Sequence, residues 1–263
     1  MRPITFAIAV NDRNVLRNNL LSSPCFGSSH THEILEQVGF TSAAVAYNRA
    51  LELASNDLVV FAHQDLFLPQ HWLTQLERSL EYLERFDPEW GVLGCWGAKS
   101  TGELVGHIYS TGLGVIGQPF ERPVSVQALD EIVLIMRKSS GLRFDANLPH
   151  FHFYGTDICL SAKGAGRESY AISAFCVHNT RQLLVLPKEF YSAYDYIRSA
   201  RWKNLPIRTT CIEISRLNLG LYFRKLNDIR LTLTGRDRSA LPRSLPALEL
   251  WEQLGVPVEG SGR

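Results

Sequence analysis

Asn56-Asp57-Leu58-Val59-Val60-Phe61-Ala62-His63-Gln64-Asp65 is the stretch on which the reading of this chain turns. An apolar run with β-branched Val59 and Val60 ends abruptly in three polar residues. That is the pattern of a buried strand delivering an imidazole, an amide and a carboxylate to its C-terminal end. In α/β proteins such ends hold ligands and metal ions. Turn chemistry also favours Asp, so the local stretch is equally compatible with Asp65 simply opening a turn. The surrounding order of elements weighs between the two.

Upstream, Ile4–Val10 reads as a strand ending at Asn11-Asp12, either of which can cap a helix carrying Val15, Leu16 and Leu20. Residues 25–33 read as a polar loop. Thr41-Ser42 then caps a helix with Ala44, Val45, Asn48, Leu51 and Ala54 at helical spacing. Downstream, Pro69 suits the first turn of a helix whose stripe is Trp72, Leu73, Leu76, Leu80 and Leu83. Residues 91–96 read as another strand. This β-α-loop-α-β-α-β order predicts an α/β fold with a mostly parallel, Rossmann-like sheet flanked by helices. Residues 97–128 are glycine-rich and predict hairpins or an excursion over the sheet. Ile132–Met136 and Tyr170–Val177 read as strands, the second ending at His178-Asn179. A helix begins at or near Asp157 and ends at Gly164 and Gly166. Helical segments are expected after Pro187, over 211–217 and over 221–229, and a short helix within the last twenty residues. Two units are expected: residues 1–185 as the binding and catalytic domain, and 186–263 as a helical, basic extension packed on it.

The bulk properties narrow the class. The chain has 263 residues, 45% of them hydrophobic, as in an ordinary globular protein. No apolar run approaches the roughly 20 residues that span a bilayer, and no secretory pattern opens the chain, so a cytoplasmic protein is expected. Five widely spaced cysteines form no CxxC pair and predict neither a zinc knot nor a disulfide framework. The net charge of +1 conceals an asymmetry. Residues 1–195 carry 15 Lys+Arg against 20 Asp+Glu, whereas residues 196–243 carry 11 against 3. That basic region suits an anionic lipid, phosphate or nucleic-acid surface, or else is a solvated helix face or an oligomer contact. No nucleic-acid-binding motif accompanies it, so no nucleic-acid partner is expected.

Three element ends thus present polar groups: His63-Gln64-Asp65, Thr156-Asp157, and His178. Asp and His are natural ligands for a divalent ion such as Mg²⁺ or Mn²⁺, and a further carboxylate can act as a base. Their order gives the pattern its specificity. Over residues 4–180 the chain resembles the family 2-type glycosyltransferases of GT-A fold, which use nucleoside-diphosphate sugars. The resemblance is carried by Ile4–Asp12, by the small-residue helix Ser42–Leu51 with Asn48, by Leu58–Asp65 in place of the DxD strand, by Phe144-Asp145 through Leu160, and by Val177-His178-Asn179. The His-Gln-Asp spelling is most similar to a prokaryotic branch associated with capsule and surface-polysaccharide synthesis. Departures are plain: His63 stands where the first Asp of DxD would be, Thr156 replaces the usual acidic partner of Asp157, and Ala146 replaces the Glu of an FDE turn.

The resemblance implies a hexosyltransferase-like enzyme that moves a sugar from a nucleoside-diphosphate sugar to a hydroxyl acceptor by an inverting displacement. It implies Asp65 as the main metal ligand with His178 and His63 assisting, and Asp157 as the catalytic base. It implies Asn11, Asp12, Asn48 and Gln64 around the nucleotide. Asp130, Glu131, Trp96 and Tyr154 are expected at the acceptor. Mn²⁺ or Mg²⁺ is the expected cofactor, and a saccharide or lipid-linked molecule the acceptor, with residues 196–243 touching an anionic membrane surface. Two alternatives stand beside this reading. A nucleotidyltransferase would normally carry a glycine-rich phosphate loop, and Ile4–Arg17 has no glycine. A non-catalytic nucleotide-sugar-binding relic would keep the pocket but not the chemistry.

Overall fold

The computed structural model describes residues 2–27, 32–181, 185–234 and 245–255. In chain order the first half comprises β1 (Ile4–Val10), α1 (Arg13–Asn18), β2 (Glu33–Val38), α2 (Ala43–Leu53), β3 (Leu58–His63), β4 (Leu66–Phe67) and α3 (Trp72–Phe86). Then follow β5 (Leu93–Gly94), β6 (Trp96–Ala98), β7 (Leu104–Ser110), β8 (Gly114–Gly117), β9 (Val124–Val126), β10 (Ala128–Leu129) and β11 (Val133–Arg137). The second half adds α4 (Tyr154–Gly164), β12 (Ser169–Ala171), β13 (Val177–His178), α5 (Lys188–Ala200), β14 (Ile207–Arg208), β15 (Glu213–Ile214), α6 (Leu219–Leu233) and α7 (Ala247–Leu254).

The fold is mixed α/β around a seven-stranded sheet of order β2-β1-β3-β11-β5-β12-β9. Pairings are parallel for β2-β1, β1-β3 and β5-β12, and antiparallel where β11 enters beside β3 and β5 and where β9 joins β12. Both faces are buried, as continuous apolar strands require. Along β3, Val59 and Phe61 face one core while Val60 and Ala62 face the other, following the two-residue period of a strand. Helix α2 packs Ala43, Ala44, Tyr47, Ala50 and Leu51 on the first face, and α3 packs Trp72, Leu73, Leu76, Leu80 and Leu83 on the second. Each fully buried large side chain of this kind contributes about 1.5–3 kcal/mol as an upper bound.

A second sheet, β10-β6-β7-β13-β4 with β8 on β7, draws its β6-β7-β8 part from the glycine-rich region and adds β4 and β13 from either side of it in sequence. Its β6-β7-β8 meander is the hairpin structure expected there. The segments 91–96 and 170–177 each divide between the two sheets rather than forming single strands. The polar segment from Glu33 onward carries an unexpected edge strand, β2. Its two glutamates hid it, and a charge such as that of exposed Glu36 is how an edge is protected. Glu33 accepts hydrogen bonds from the Thr5 and Ser55 hydroxyls, fastening that edge.

Within the residues expected to be helical over 211–217, Glu213–Ile214 form β15 instead, which pairs antiparallel with β14. The Thr209 hydroxyl accepts from the amides of Cys211 and Ile212 and donates to the Ile212 carbonyl, closing a turn that competes with a helix. Helix α3 begins at Trp72, whose amide donates to the carbonyl of Pro69, so the proline precedes the helix. Phe190, Ala193, Tyr194 and Ile197 of α5, with Ile207, Ile214 and Leu221, belong to the same core as α2 and α4. Helix α7 covers Phe67, Phe175 and Val177 with Ala247 and Leu250. Residues 235–244, the end of the basic region, and 256–263 lie outside the described residues.

Candidate active site

Parallel pairing brings the C-terminal ends of β2, β1 and β3 to one edge of the large sheet. A cleft of about 810 Å³ opens there, lined by Val38-Gly39, Asn11, Arg13 and His63-Gln64-Asp65, and walled by Tyr47, Phe151 and Tyr154. Its size suits a ligand larger than a single sugar ring.

The polar end of β3 sits at this edge. Directly after it, β4 pairs antiparallel with β13 in the register Leu66↔His178 and Phe67↔Val177. The Asn179 amide extends the ladder by donating to the Asp65 carbonyl at 2.9 Å. This pairing sets His178 beside Asp65, with Nε2 of His178 3.5 Å from Oδ1 of Asp65. Nδ1 of His63 lies 3.9 Å from the same oxygen. One donor atom from each of His63, Asp65 and His178 falls within 4.8 Å of the others. A metal with bonds of about 2.1 Å places neighbouring donors roughly 3.0–3.4 Å apart, so small side-chain rotations suffice to close this set on an ion. Two imidazoles and a carboxylate also have the right chemistry, and the three expected ligands fit a divalent cation. Burial is the main reason the His63 imidazolium is disfavoured, and the neighbouring His178 adds to it, so its ring is held neutral as a ligand requires.

The other expected site residues are distributed unevenly. Asn11 lines the cleft. Gln64 also lines it, but its carbonyl accepts from the amides of Asn11 and Asp12, both at 3.1 Å, and its amide donates to the Asn11 side chain. Gln64 therefore clamps the end of β3 to the end of β1. The Asp12 carboxylate is occupied as the cap of α1, accepting from the amides of Asn14 and Val15. Asn48 does not face the cleft-side nucleotide position expected of it. Its side chain donates to the Phe144 carbonyl at 2.8 Å and accepts from the Phe144 amide at 3.0 Å, holding the Phe144-Asp145 turn.

Asp157 is in the first turn of α4, as expected, but is 1% exposed and absent from the cleft wall. Its Oδ1 accepts from Nε of Arg201 at 2.6 Å, and Arg201 also donates to the Ser161 hydroxyl. Its Oδ2 is buried with no hydrogen-bond partner among the described residues. Burial raises its pKa, opposed by Arg201. No sequence signal marked Arg201, since it lies in an unrelated basic stretch. Asp130 is half-exposed between β10 and β11; it accepts from the Ile132 amide and the Thr210 hydroxyl, and its charge acts on His63. Burial, with Asp130 beside it, raises the Glu131 carboxyl well above the usual range. Trp96 is a core residue at 8% exposure and offers no face to an acceptor. Tyr154 does reach the cleft, with its ring otherwise buried and its hydroxyl 3.0 Å from Nε2 of His63. Half-buried His152, packed on Phe190, is pushed down to about 4 by burial and is neutral near pH 7.

No protein-family model matches the chain. It is 32% identical over 134 residues to a protein of Fuscovulum blasticum described as "ATP synthase subunits region ORF 6", covering 48% of this chain and 52% of that protein. The chain thus matches about half the length of that curated relative. Three solved structures are similar over part of the fold. The Staphylococcus aureus protein TarS, in complex with UDP-GlcNAc, matches with a TM-score of 0.43 and 13% identity over 75% of this chain and 66% of its own. The mannosyltransferase PcManGT of Pyrobaculum calidifontis, in complex with GDP-Man and Mn²⁺, matches with a TM-score of 0.42 and 15% identity over 97% and 70%. Glucosyl-3-phosphoglycerate synthase of Mycobacterium tuberculosis, in complex with Mg²⁺ and UDP, matches with a TM-score of 0.39 and 14% identity over 69% and 73%.

Proposed function

We propose that the protein is a metal-assisted glycosyltransferase that moves a sugar from a nucleoside-diphosphate sugar to a hydroxyl acceptor by a single inverting displacement, in surface-polysaccharide or glycolipid synthesis. The observation that carries this reading is the convergence of His63, Asp65 and His178, the first two lining a cleft formed at three parallel strand ends and the third beside Asp65. A divalent ion held there supplies charge neutralisation for the leaving diphosphate. Asp65 provides the anionic ligand and the two imidazoles complete the set. Asn11 and Arg13, on the rim at the end of β1, face the nucleotide, and Gln64 keeps that rim in place.

The acceptor hydroxyl must give its proton to a carboxylate. Asp157, implied by the resemblance, has one oxygen engaged by Arg201. Asp130 is the second candidate, being half-exposed and close enough for its charge to act on His63. Transfer assays on Asp157→Asn and Asp130→Asn separate them: the base variant loses at least 100-fold in turnover while nucleotide binding survives.

Isothermal titration with UDP and GDP, with and without Mn²⁺, tests the reading as a whole, followed by a nucleotide-sugar panel screened for hydrolysis. Metal-enhanced binding of one nucleotide is expected, and Asp65→Ala reproduces the effect of adding EDTA. Absence of metal-enhanced binding to any nucleoside diphosphate removes the proposal. Binding without turnover for any sugar and acceptor favours the non-catalytic relic, a reading that the Arg201 lock on Asp157 supports.

The membrane surface is the proposed location of a lipid-linked acceptor. No helix among the described residues is long and apolar enough to cross a bilayer. Helix α6 instead turns Leu219, Tyr222, Phe223, Leu226, Ile229 and Leu233 outward, all between 45% and 82% exposed, beside exposed Lys225 and Arg230. That is the composition of a helix lying in an anionic interface.

A further inference from the structure

We propose that Tyr154 is a positioning residue for the metal site: it fixes His63 as the Nε2–H tautomer and so makes the cluster a two-histidine, one-carboxylate site that prefers a transition ion such as Mn²⁺ or Co²⁺ to Mg²⁺. The inference deepens the metal-assisted reading above. It is tested with metal alone, so either can fail without the other.

A single hydroxyl proton decides the tautomer. The Tyr154 hydroxyl has one proton and lies 3.0 Å from the main-chain carbonyl of Glu131. A carbonyl can only accept, so Tyr154 donates there. Nε2 of His63 lies 3.0 Å from the same hydroxyl oxygen, and with the proton given to the carbonyl that oxygen offers only lone pairs, to His63 and to the neighbouring Tyr47 hydroxyl alike. The hydrogen bond therefore exists only when Nε2 carries the proton. Nδ1 then bears a lone pair, and it lies 3.9 Å from Oδ1 of Asp65. Two acceptors face each other across 3.9 Å, longer than a hydrogen bond, which a protonated Nδ1 beside a carboxylate would close. Nε2 of His178 borders the same oxygen at 3.5 Å. A cation between these groups resolves the opposition.

The geometry behind Tyr154 is rigid. Tyr154 opens α4, and its ring packs edge-on against Tyr47 of α2. The carbonyl it donates to, that of Glu131, lies two residues before β11, and the amide of His63 donates to the next carbonyl, that of Ile132, at 3.1 Å. Carbonyl and imidazole thus sit at adjoining ends of the paired strands β11 and β3, and the tyrosine reaches both from α4. A ligating histidine held through its other ring nitrogen is how proteins orient metal sites. Magnesium prefers an all-oxygen shell, whereas an N₂O set with open positions is characteristic of first-row transition ions.

The test uses the full chain without nucleotide. Titration with Mn²⁺ followed by the loss of its free electron paramagnetic signal, and with Co²⁺ and Mg²⁺ by calorimetry, gives the affinities. Mn²⁺ and Co²⁺ are expected to bind at least tenfold tighter than Mg²⁺. Tyr154→Phe is expected to weaken Mn²⁺ by about 10–100-fold, with circular dichroism confirming that it folds. Long-range ¹H–¹⁵N spectra of the unsubstituted metal-free protein, assigned with His63→Gln, report the tautomer directly and do not depend on any variant folding. An Nε2–H pattern for His63 is expected. An Nδ1–H tautomer, unchanged Mn²⁺ affinity in folded Tyr154→Phe, or Mg²⁺ affinity equal to that of Mn²⁺ overturns the proposal.

Discussion

Asp157 and Arg201 show how one residue's surroundings can redirect its role. A carboxylate in the first turn of a helix reads from sequence as a candidate base, yet here it is buried and paired with a guanidinium from the end of α5. The pair joins α4 to α5, which makes it part of the architecture whatever part it takes in proton transfer. Arg201→Met leaves the carboxylate buried without its counter-charge, and unfolding in urea at pH 7 is expected to show a loss of about 3 kcal/mol. The pH dependence has a definite sign. The folded-state pKa of Asp157 is already raised by burial, and losing Arg201 raises it further. A raised carboxyl stabilises the folded state most below its unfolded pKa, and that contribution disappears as pH rises through the folded value. The variant's deficit is therefore expected to shrink as pH is lowered from neutral toward the unfolded carboxylate range. A deficit that stays constant or grows on acidification would count against Asp157 as the affected group.

At the scale of elements, the site depends on how closely α4 approaches the sheet. A Cβ on Gly155 would sit 2.6 Å from the carbonyl oxygen of Leu129, a backbone atom with nowhere to go. Gly155→Ala must push the first turn of α4 away from β10, and Tyr154 with it. A cost of about 1–3 kcal/mol is expected in denaturant unfolding, together with weakened Mn²⁺ binding because the Tyr154–His63 contact lengthens. Ordinary Mn²⁺ affinity in that variant would show that the approach of α4 does not govern the site. Element identity was legible wherever apolar spacing was strong. The strands at Ile4–Val10 and Leu58–His63 and helices α2 and α3 follow directly from it. Strand β2 was not legible, because an edge strand bordered by glutamates has the composition of a loop. The β14-β15 hairpin escaped for a different reason: Thr209 closes it through side-chain hydrogen bonds that no hydrophobic period records.

For the whole molecule, the basic C-terminal charge acquires a place. Helix α6 buries Leu221 and Asp228 against the protein and leaves its apolar stripe outward. Replacing Phe223 and Leu226 by Asp is expected to reduce co-sedimentation with vesicles containing phosphatidylserine at least fivefold, without altering metal binding. Raising salt is expected to weaken binding of the unsubstituted protein. Vesicle binding that is equal in the variant, or absent in the parent protein, would remove α6 as the contact.

The sequence by itself determined the α/β class, the strand that ends in His63-Gln64-Asp65 and the further polar ends at Thr156-Asp157 and His178, because hydrophobic period and polar strand ends are local signals; the grouping of His63, Asp65 and His178 as metal ligands was implied by the family resemblance. Tertiary structure decided what each of those polar groups faces. The pairing of β4 with β13 made His178 a neighbour of Asp65, and the packing of α4 put Tyr154 behind His63. The same packing took Asp157 into the interior with Arg201, while Gln64, Asp12 and Asn48 were drawn into backbone hydrogen bonds. Residue type and spacing specify which groups a strand or helix end presents. Only the docking of elements distant in sequence specifies which of them meet, because that depends on sheet order and register.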